Sequence, residues 1–371
     1  MATETVTTEP IDTTAQAEAL AGRLFNATVE ALDLVNVYIG DKLGLYRSLA
    51  DHGSATPPEL AVRARIHPRY AREWLEQQAA SSILEVDDPS KPEDERRFSL
   101  PTGHATALLD RDAETSIAPV AAFLVSSVVQ MPKILEAIRT GGGVSWTEYG
   151  RDATEAQGDF NRPWIKRQLG REYLPQIEQV HKRLVSDPPA RVADLACGVG
   201  LAAIAIAQAY PLALVDGFDL DPIGIELARK QAAEARVGNR VTFAVRDIAD
   251  PAIAGGYDLV IIVEALHDLS DPVGVLANMR RMLAPGGVAI VADEKVGDSF
   301  VGPADEWERL LYGFSVILCL PGAMAEEPHA GTGVVFRQSK LRQYAANAGF
   351  PHVEVLDQID HQFLRFYLLE P

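Results

Sequence analysis

Three aspartates stand at the ends of successive apolar runs: Asp194 in VADLACGVG, Asp219 in ALVDGFDL and Asp247 in VTFAVRD. After the first of them come Gly198 and Gly200, which have no Cβ and let backbone approach a ligand closely. The loop leads into LAAIAIA, a helix whose first N–H groups can receive a carboxylate. Asp219 can accept hydrogen bonds from both hydroxyls of a ribose. A dinucleotide would satisfy this much, but its pyrophosphate would be repelled by Asp194. S-Adenosylmethionine carries no phosphate; it has a sulfonium and an ammonium group, beside which a carboxylate is favourable. Asp247 suits an adenine amino group. Each aspartate alone reads equally well as a solvated loop residue; three in succession point to S-adenosylmethionine.

The elements that must position them follow from the hydrophobic period. From Arg191 onward the runs RVADLA, ALVDGFDL, VTFAVRD, YDLVIIVE and GVAIVADE alternate with helical stretches such as PIGIELARKQAAEA. This is the pattern of a parallel, doubly wound sheet of the Rossmann-like type, which binds ligands beyond the carboxyl ends of its strands. HVEVLDQ and FLRFYLL add an antiparallel hairpin at the C-terminal end. Upstream, apolar residues from Ala19 to Leu49 recur at helical spacing. A capped helix with proline in its first turn follows, then a second helix from Arg69 to about Ser81. Strands at Ile83–Val86 and near Phe98–Leu100 complete a winged-helix pattern. The expected organisation is a disordered tail (1–17), a winged-helix domain (18–104), a helical connector (105–185) and an α/β domain (186–371). The last carries a helical insertion at about 298–345.

VADLACGVG, GFDLD, VRDIAD and YDLVIIVEALHDLSDP…LAPGGVAIVADE resemble the ordered motifs of class I S-adenosylmethionine-dependent methyltransferases. With the upstream winged helix, the chain resembles bacterial winged-helix methyltransferases and the small-molecule O-methyltransferases. The resemblance implies a cofactor site of Asp194, Ala196, Gly198 and Gly200, Asp219 with Leu220, and Asp247 with Ile248. Asp194 would lie near the methionine amino group, Asp219 on the ribose, and Asp247 and Ile248 at the adenine. The family usually has glycine where Ala196 and Cys197 stand. Glu264, directly after the fourth strand, either approaches the methionine end or is a solvated loop carboxylate. In the O-methyltransferases a His-Asp-Trp-Ser-Asp segment supplies the histidine that takes the acceptor's proton; here His267 and Asp268 match and Leu269 replaces the tryptophan. An imidazole with a pKa near ~6.5 can accept a proton from a phenol of pKa ~10 as the methyl moves. The alternative is that His267 caps the next helix or bonds to backbone. Trp307, Tyr312, Phe314 and Leu318 give the insertion a face for a flat acceptor.

Composition bounds the rest. The 371 residues carry a net charge of -18, which disfavours nucleic acid and anionic membranes as partners. Two cysteines make no disulfide framework, and the histidines show no metal-ligand spacing. MATETVTTEPIDTTAQ lacks the basic and apolar regions of a signal peptide. The expectation is a cytoplasmic methyltransferase of a small hydroxylated acceptor, homodimeric through its N-terminal segment. The rival is a DNA-binding regulator, with Arg63, Arg65, Arg69 and Arg72 around the winged helix and a metabolite-sensing domain behind it.

Overall fold

A computed structural model describes residues 12–371. The chain divides into two compact units, the first ending at Asp110 and the second spanning Arg111–Pro371.

In the first unit a 30-residue helix, Thr13–Lys42, starts where the Asp12 carboxylate accepts from the Thr14 and Ala15 amides. That cap places residues 13–17 in a helix rather than in the expected tail; residues 1–11 lie outside the described ones. Gly44, in the left-handed region, breaks the apolar pattern that continues into Leu45–His52. The helix Pro57–Ala64 opens with a reciprocal Thr56–Glu59 capping box, and Pro68–Ala80 is capped by the His67 ring. Two short strands, β1 (Glu85–Val86) and β2 (Phe98–Ser99), pair antiparallel as the wing. Leu45, Tyr46, Leu60, Leu75 and Phe98 fill the core. Three of the four arginines around the helix pair have partners, while Arg65 is exposed at the end of the first helix. Arg63 donates to the Gly53 carbonyl, Arg69 pairs with Glu73 and Arg72 with Glu93.

The second unit is built on a seven-stranded sheet. Its strands are β3 (Arg191–Leu195), β4 (Leu214–Asp219), β5 (Val241–Val245), β6 (Tyr257–Val263), β7 (Leu283–Glu294), β8 (His352–Val355) and β9 (Leu364–Glu370), in the order β5-β4-β3-β6-β7-β9-β8. The first five are parallel. β9 inserts antiparallel between β7 and β8, so β8 is the edge strand. The strand order reverses between β3 and β6, and the crevice beyond their carboxyl ends is where such sheets bind ligands. One face is covered by residues of the helices Leu201–Ala209 and Pro222–Glu234 and of the 165–184 segment. The other is covered by Pro272–Met282 and Gln338–Asn347. Of the expected insertion at 298–345, the part from Gln338 onward is thus sheet-covering core, with Leu341 and Ala345 fully buried. Earlier, Glu306–Phe314 packs with the 134–153 segment around Ile134, Val144, Tyr149, Leu311 and Leu318. Among the described residues no single helix is long and apolar enough to cross a membrane; Ala118–Val129 and Met131–Thr140 qualify only as a pair bent by 58°.

Candidate active site

The glycine loop leaves β3 through three left-handed residues, Ala196 (φ 51), Gly198 (φ 49) and Gly200 (φ 78). An alanine in that region costs about 1–2 kcal/mol, so the loop path survives replacement of the usual glycine at a modest penalty. At Gly200 no other residue would do: a Cβ would stand 2.6 Å from the Phe243 ring. Asp219 ties the loop to the end of β4. Its two oxygens accept the Gly198 amide at 2.7 Å and the Asp221 amide at 2.8 Å. Each oxygen keeps a lone pair for a ribose hydroxyl. Leu220 beside it is 53% exposed. Asp194 sits beneath the loop, almost fully buried, and accepts the Ala203 amide at 3.0 Å in the first turn of the following helix. Burial pushes its carboxyl up to about 7, and the charge of Asp219 adds to the rise.

Asp247 is exposed and accepts the Ala249 amide at 2.9 Å. The Ile248 side chain is buried in the core, and its carbonyl accepts from the Asn278 amide at 2.7 Å. Any contact of Ile248 with adenine therefore runs through its backbone N–H, not the side chain.

On the other side of the switch point, Glu264 turns off β6 in the left-handed region (φ 48), with its amide bonded to the Ala292 carbonyl at 2.8 Å. It is buried, not a solvated loop residue. Its Oε2 accepts from Gln157 at 3.0 Å and from Asn161. Burial pushes its carboxyl up to about 7, against the pull of the Asn161 bond and of His267. His267, in the short turn Leu266–Asp268, is 2% exposed. Its Nδ1 lies 2.7 Å from Asp293 Oδ1 and 3.0 Å from Glu294 Oε2, and its Nε2 lies 3.1 Å from Asp268 Oδ1. Burial opposes the charged imidazole, but Asp268, Asp293 and Glu294 outweigh it, holding its pKa well above the usual value. Beside it, burial pushes the Glu294 carboxyl well up, while His267 overrides burial at Asp293 and keeps that carboxyl low. These directions favour a charged imidazole on an ionised Asp293 carboxylate and the neutral form of Glu294. The sequence reading took an imidazole of unperturbed pKa; the fold surrounds it with three carboxylates that favour its charged form.

His267, Asp293 and Glu294 present donor atoms within 4.8 Å of one another, as do His267, Asp268 and Cys319. The types suit a metal that the sequence spacing did not announce. Ligand atoms around a tetrahedral zinc would stand roughly 3.3 Å apart, whereas Nδ1 and Asp293 Oδ1 are at the distance of a shared proton.

Asp293, Glu294 and the polar face of the helix Trp146–Trp164 are neighbours of His267 and Glu264 that sequence reasoning missed. Thr154, Gln157 and Asn161 of that helix recur at i, i+3 and i+7, the spacing of one helical face. Thr154 donates to Asp221 at 2.8 Å, and the other two reach Glu264. That spacing in a segment otherwise read as a connector was the available signal.

A family model for the methyltransferase domain matches residues 193–289, and one for the Rv2258c-like winged HTH domain matches residues 31–115. The chain is 30% identical over 161 residues to magnesium-protoporphyrin O-methyltransferase of Synechocystis sp., covering 40% of this chain and 68% of the relative. The chain belongs to the S-adenosylmethionine-dependent methyltransferases. A second relative of this methyltransferase, 27-O-demethylrifamycin SV methyltransferase of Amycolatopsis mediterranei, is 31% identical over 121 residues. That match spans 32% of this chain and 44% of the relative. Among solved structures, PigF with SAH shares the fold with a TM-score of 0.68 at 18% identity, covering 94% of this methyltransferase and 99% of that chain. Mitomycin 7-O-methyltransferase MmcR does so at 0.66 and 18%, covering 96% and 100%. The enzyme's cofactor is S-adenosylmethionine.

Proposed function

We propose that this enzyme moves the methyl group of S-adenosylmethionine to a hydroxyl oxygen of a small, flat acceptor, with His267 taking the proton. The observation that carries this reading is His267 itself, a buried imidazole set among carboxylates beside the switch-point crevice. Both relatives and the MmcR structure bear O-methyltransferase or methyltransferase names on small molecules, which supports the acceptor class. Asp194 and Glu264 serve the methionine end, Asp219 the ribose, and Asp247 with the Ile248 backbone the adenine.

Methyl transfer needs the acceptor oxygen in line with the S–CH₃ bond, and holding that geometry is a large part of catalysis. The bond from oxygen to the methyl carbon forms as the carbon–sulfur bond breaks, and the sulfur leaves as a neutral thioether. The acceptor proton goes to neutral imidazole. A raised imidazole pKa lies closer to that of a phenol (~10), so the proton transfer is less uphill. The neutral fraction at pH 7 falls in exchange. Asp268, on the Nε2 side and partly exposed, must swing aside for an acceptor to reach that nitrogen.

The partner in solution is a second copy of the chain. The helix Thr13–Lys42 leaves Leu24 54%, Leu32 56% and Ile39 37% exposed in an apolar row, a surface that a partner's equivalent helix would cover. DNA recognition is disfavoured, because Arg63, Arg69 and Arg72 beside the winged helix are bonded to carboxylates and backbone. The deciding experiment incubates the protein with S-adenosylmethionine and a panel of phenols and alcohols. Mass spectrometry should find one methyl gained by an acceptor; no product from any phenol or alcohol, with methylation of amines instead, would move the reaction to nitrogen.

A further inference from the structure

The polar face of the helix Trp146–Trp164 has no part in the mechanism above, yet it is built around one atom of the site. The indole Nε1–H of Trp164 donates to Asn161 Oδ1 at 2.8 Å. An indole N–H can only donate, so it fixes which way the Asn161 amide faces, and the NH₂ end must point to Glu264. Asn161 and Gln157 then both donate to Glu264 Oε2. No hydrogen bond among the described residues falls on Oε1, which keeps that oxygen for a ligand. Glu264 itself is held in the left-handed region, a strain that survives only where the surroundings over-determine it. The same helix face also touches the other two cofactor loops. Thr154 bonds to Asp221 next to the ribose aspartate, and Gly158 lies so close to Val199 of the glycine loop that a Cβ would stand 2.4 Å from its methyl.

We propose that Asn161, oriented by Trp164 and assisted by Gln157, is a positioning residue that holds the Glu264 carboxylate toward the amino group of S-adenosylmethionine. This rests on the reading of Glu264 as a methionine-end residue. The groups facing Glu264 divide by sign. The charges of Asp268 and Asp293 from the β6 turn and β7 favour its neutral form, while Asn161 and the His267 cation favour the ionised form. An amide donor removed from such a site leaves the carboxylate less ionised at neutral pH, and a neutral acid cannot pair with the ammonium group.

Calorimetric binding to the full-length protein provides the test, with three probes. S-Adenosylmethionine and S-adenosylhomocysteine carry the amino-acid end; 5′-methylthioadenosine lacks it. Asn161→Ala should weaken the first two by on the order of 10- to 100-fold at pH 7, the range for a hydrogen bond to a charged group. It should leave 5′-methylthioadenosine unchanged, and the loss should shrink at higher pH as Glu264 ionises. In a Glu264→Gln background the same substitution should cost almost nothing, because the two residues act as one unit. Trp164→Phe should show a smaller loss of the same pattern, without the change in charge. Equal losses for all three probes, or an undiminished loss in the Glu264→Gln background, would make Asn161 a merely structural residue and overturn the proposal. If Glu264→Gln alone changes no affinity while the wild type binds all three probes, the placement of Glu264 fails with it, but the methyltransferase reading stands. If the wild type binds none of them, that reading fails too.

Discussion

With His267 in its proposed role, the carboxylates around it set how turnover responds to pH. The imidazole titrates well above its ordinary value, so its neutral, proton-accepting form grows as pH rises above ~6.5. Turnover on a phenolic acceptor should therefore climb through the alkaline side of neutrality and level off only above that range; a rate profile already flat from pH 6 to 9 would separate His267 from the proton. His267→Gln should lower turnover about 10²- to 10⁴-fold while leaving cofactor affinity nearly intact, measured by single-turnover kinetics alongside calorimetry. A second pH dependence belongs to Asp194 and Glu264, whose carboxyls burial holds at about 7. Raised acids make the folded protein bind more protons than the unfolded chain. Their contribution to stability is thus full at low pH and lost as pH rises through about 7. A bound sulfonium and ammonium reverse this by favouring the charged forms. S-Adenosylmethionine should bind more tightly at pH 8 than at pH 6, with protons released on binding. Calorimetry at pH 6.5 in two buffers of different ionisation heat would reveal that release as a difference in apparent enthalpy.

The helix Trp146–Trp164 is the element on which the site's assembly depends. It meets the glycine loop at Gly158, the β4 loop through Thr154, and the β6 loop through Gln157 and Asn161. Its approach to the loop depends on a missing side chain. Gly158→Ala gains about 1 kcal/mol of helix propensity, but its Cβ would meet Val199 Cγ2 at 2.4 Å. Valine is stiff about χ1, so the clash shifts the loop, not a single rotamer, at about 1–3 kcal/mol. The expected outcome is a variant slightly less stable without ligand and distinctly less stabilised by S-adenosylhomocysteine. Paired thermal melts check it; an equal ligand shift in both proteins would show that helix and loop are uncoupled. Across the sheet the logic is simpler. Strands buried on both faces hold the loops at fixed register, with Ile261, Val260, Ile290 and Ala289 inaccessible to water, and the crevice opens where the strand order turns.

At the scale of the whole molecule, the proposed self-association rests on the long N-terminal helix. Its exposed Leu24, Leu32 and Ile39 recur along one stretch of Thr13–Lys42, more apolar surface than a solvated helix keeps without a partner. Leu24→Glu combined with Leu32→Glu should convert a homodimer into monomers without unfolding either unit, because neither side chain belongs to a core. Light scattering at micromolar concentration, with circular dichroism as the control, reads this directly; a wild-type monomer would refute the association. The net charge of -18 and the paired arginines argue in the same direction, away from nucleic acid and toward a small neutral or cationic ligand.

What the sequence determined by itself was what short-range physics writes locally. Period-two and apolar runs marked all seven strands of the sheet, glycines marked the loop, and proline in the first turn marked a capped helix that is formed at Pro57–Ala64. The resemblance to methyltransferases rested on those same local motifs. Tertiary structure alone decided the charges and the company each residue keeps. His267 meets Asp293 across 26 residues and Glu264 meets Asn161 across 103, separations at which no spacing rule applies. The resemblance placed Ile248 at the adenine, but only the fold shows that its side chain completes the core against neighbours from other strands and helices, leaving its backbone N–H for such a contact. The C-terminal hairpin was legible, but the insertion of β9 between β7 and β8 was not, since either strand could have paired with β7. A side chain's identity is fixed by the chain; its protonation depends on burial and on which charges the fold brings within a few ångströms.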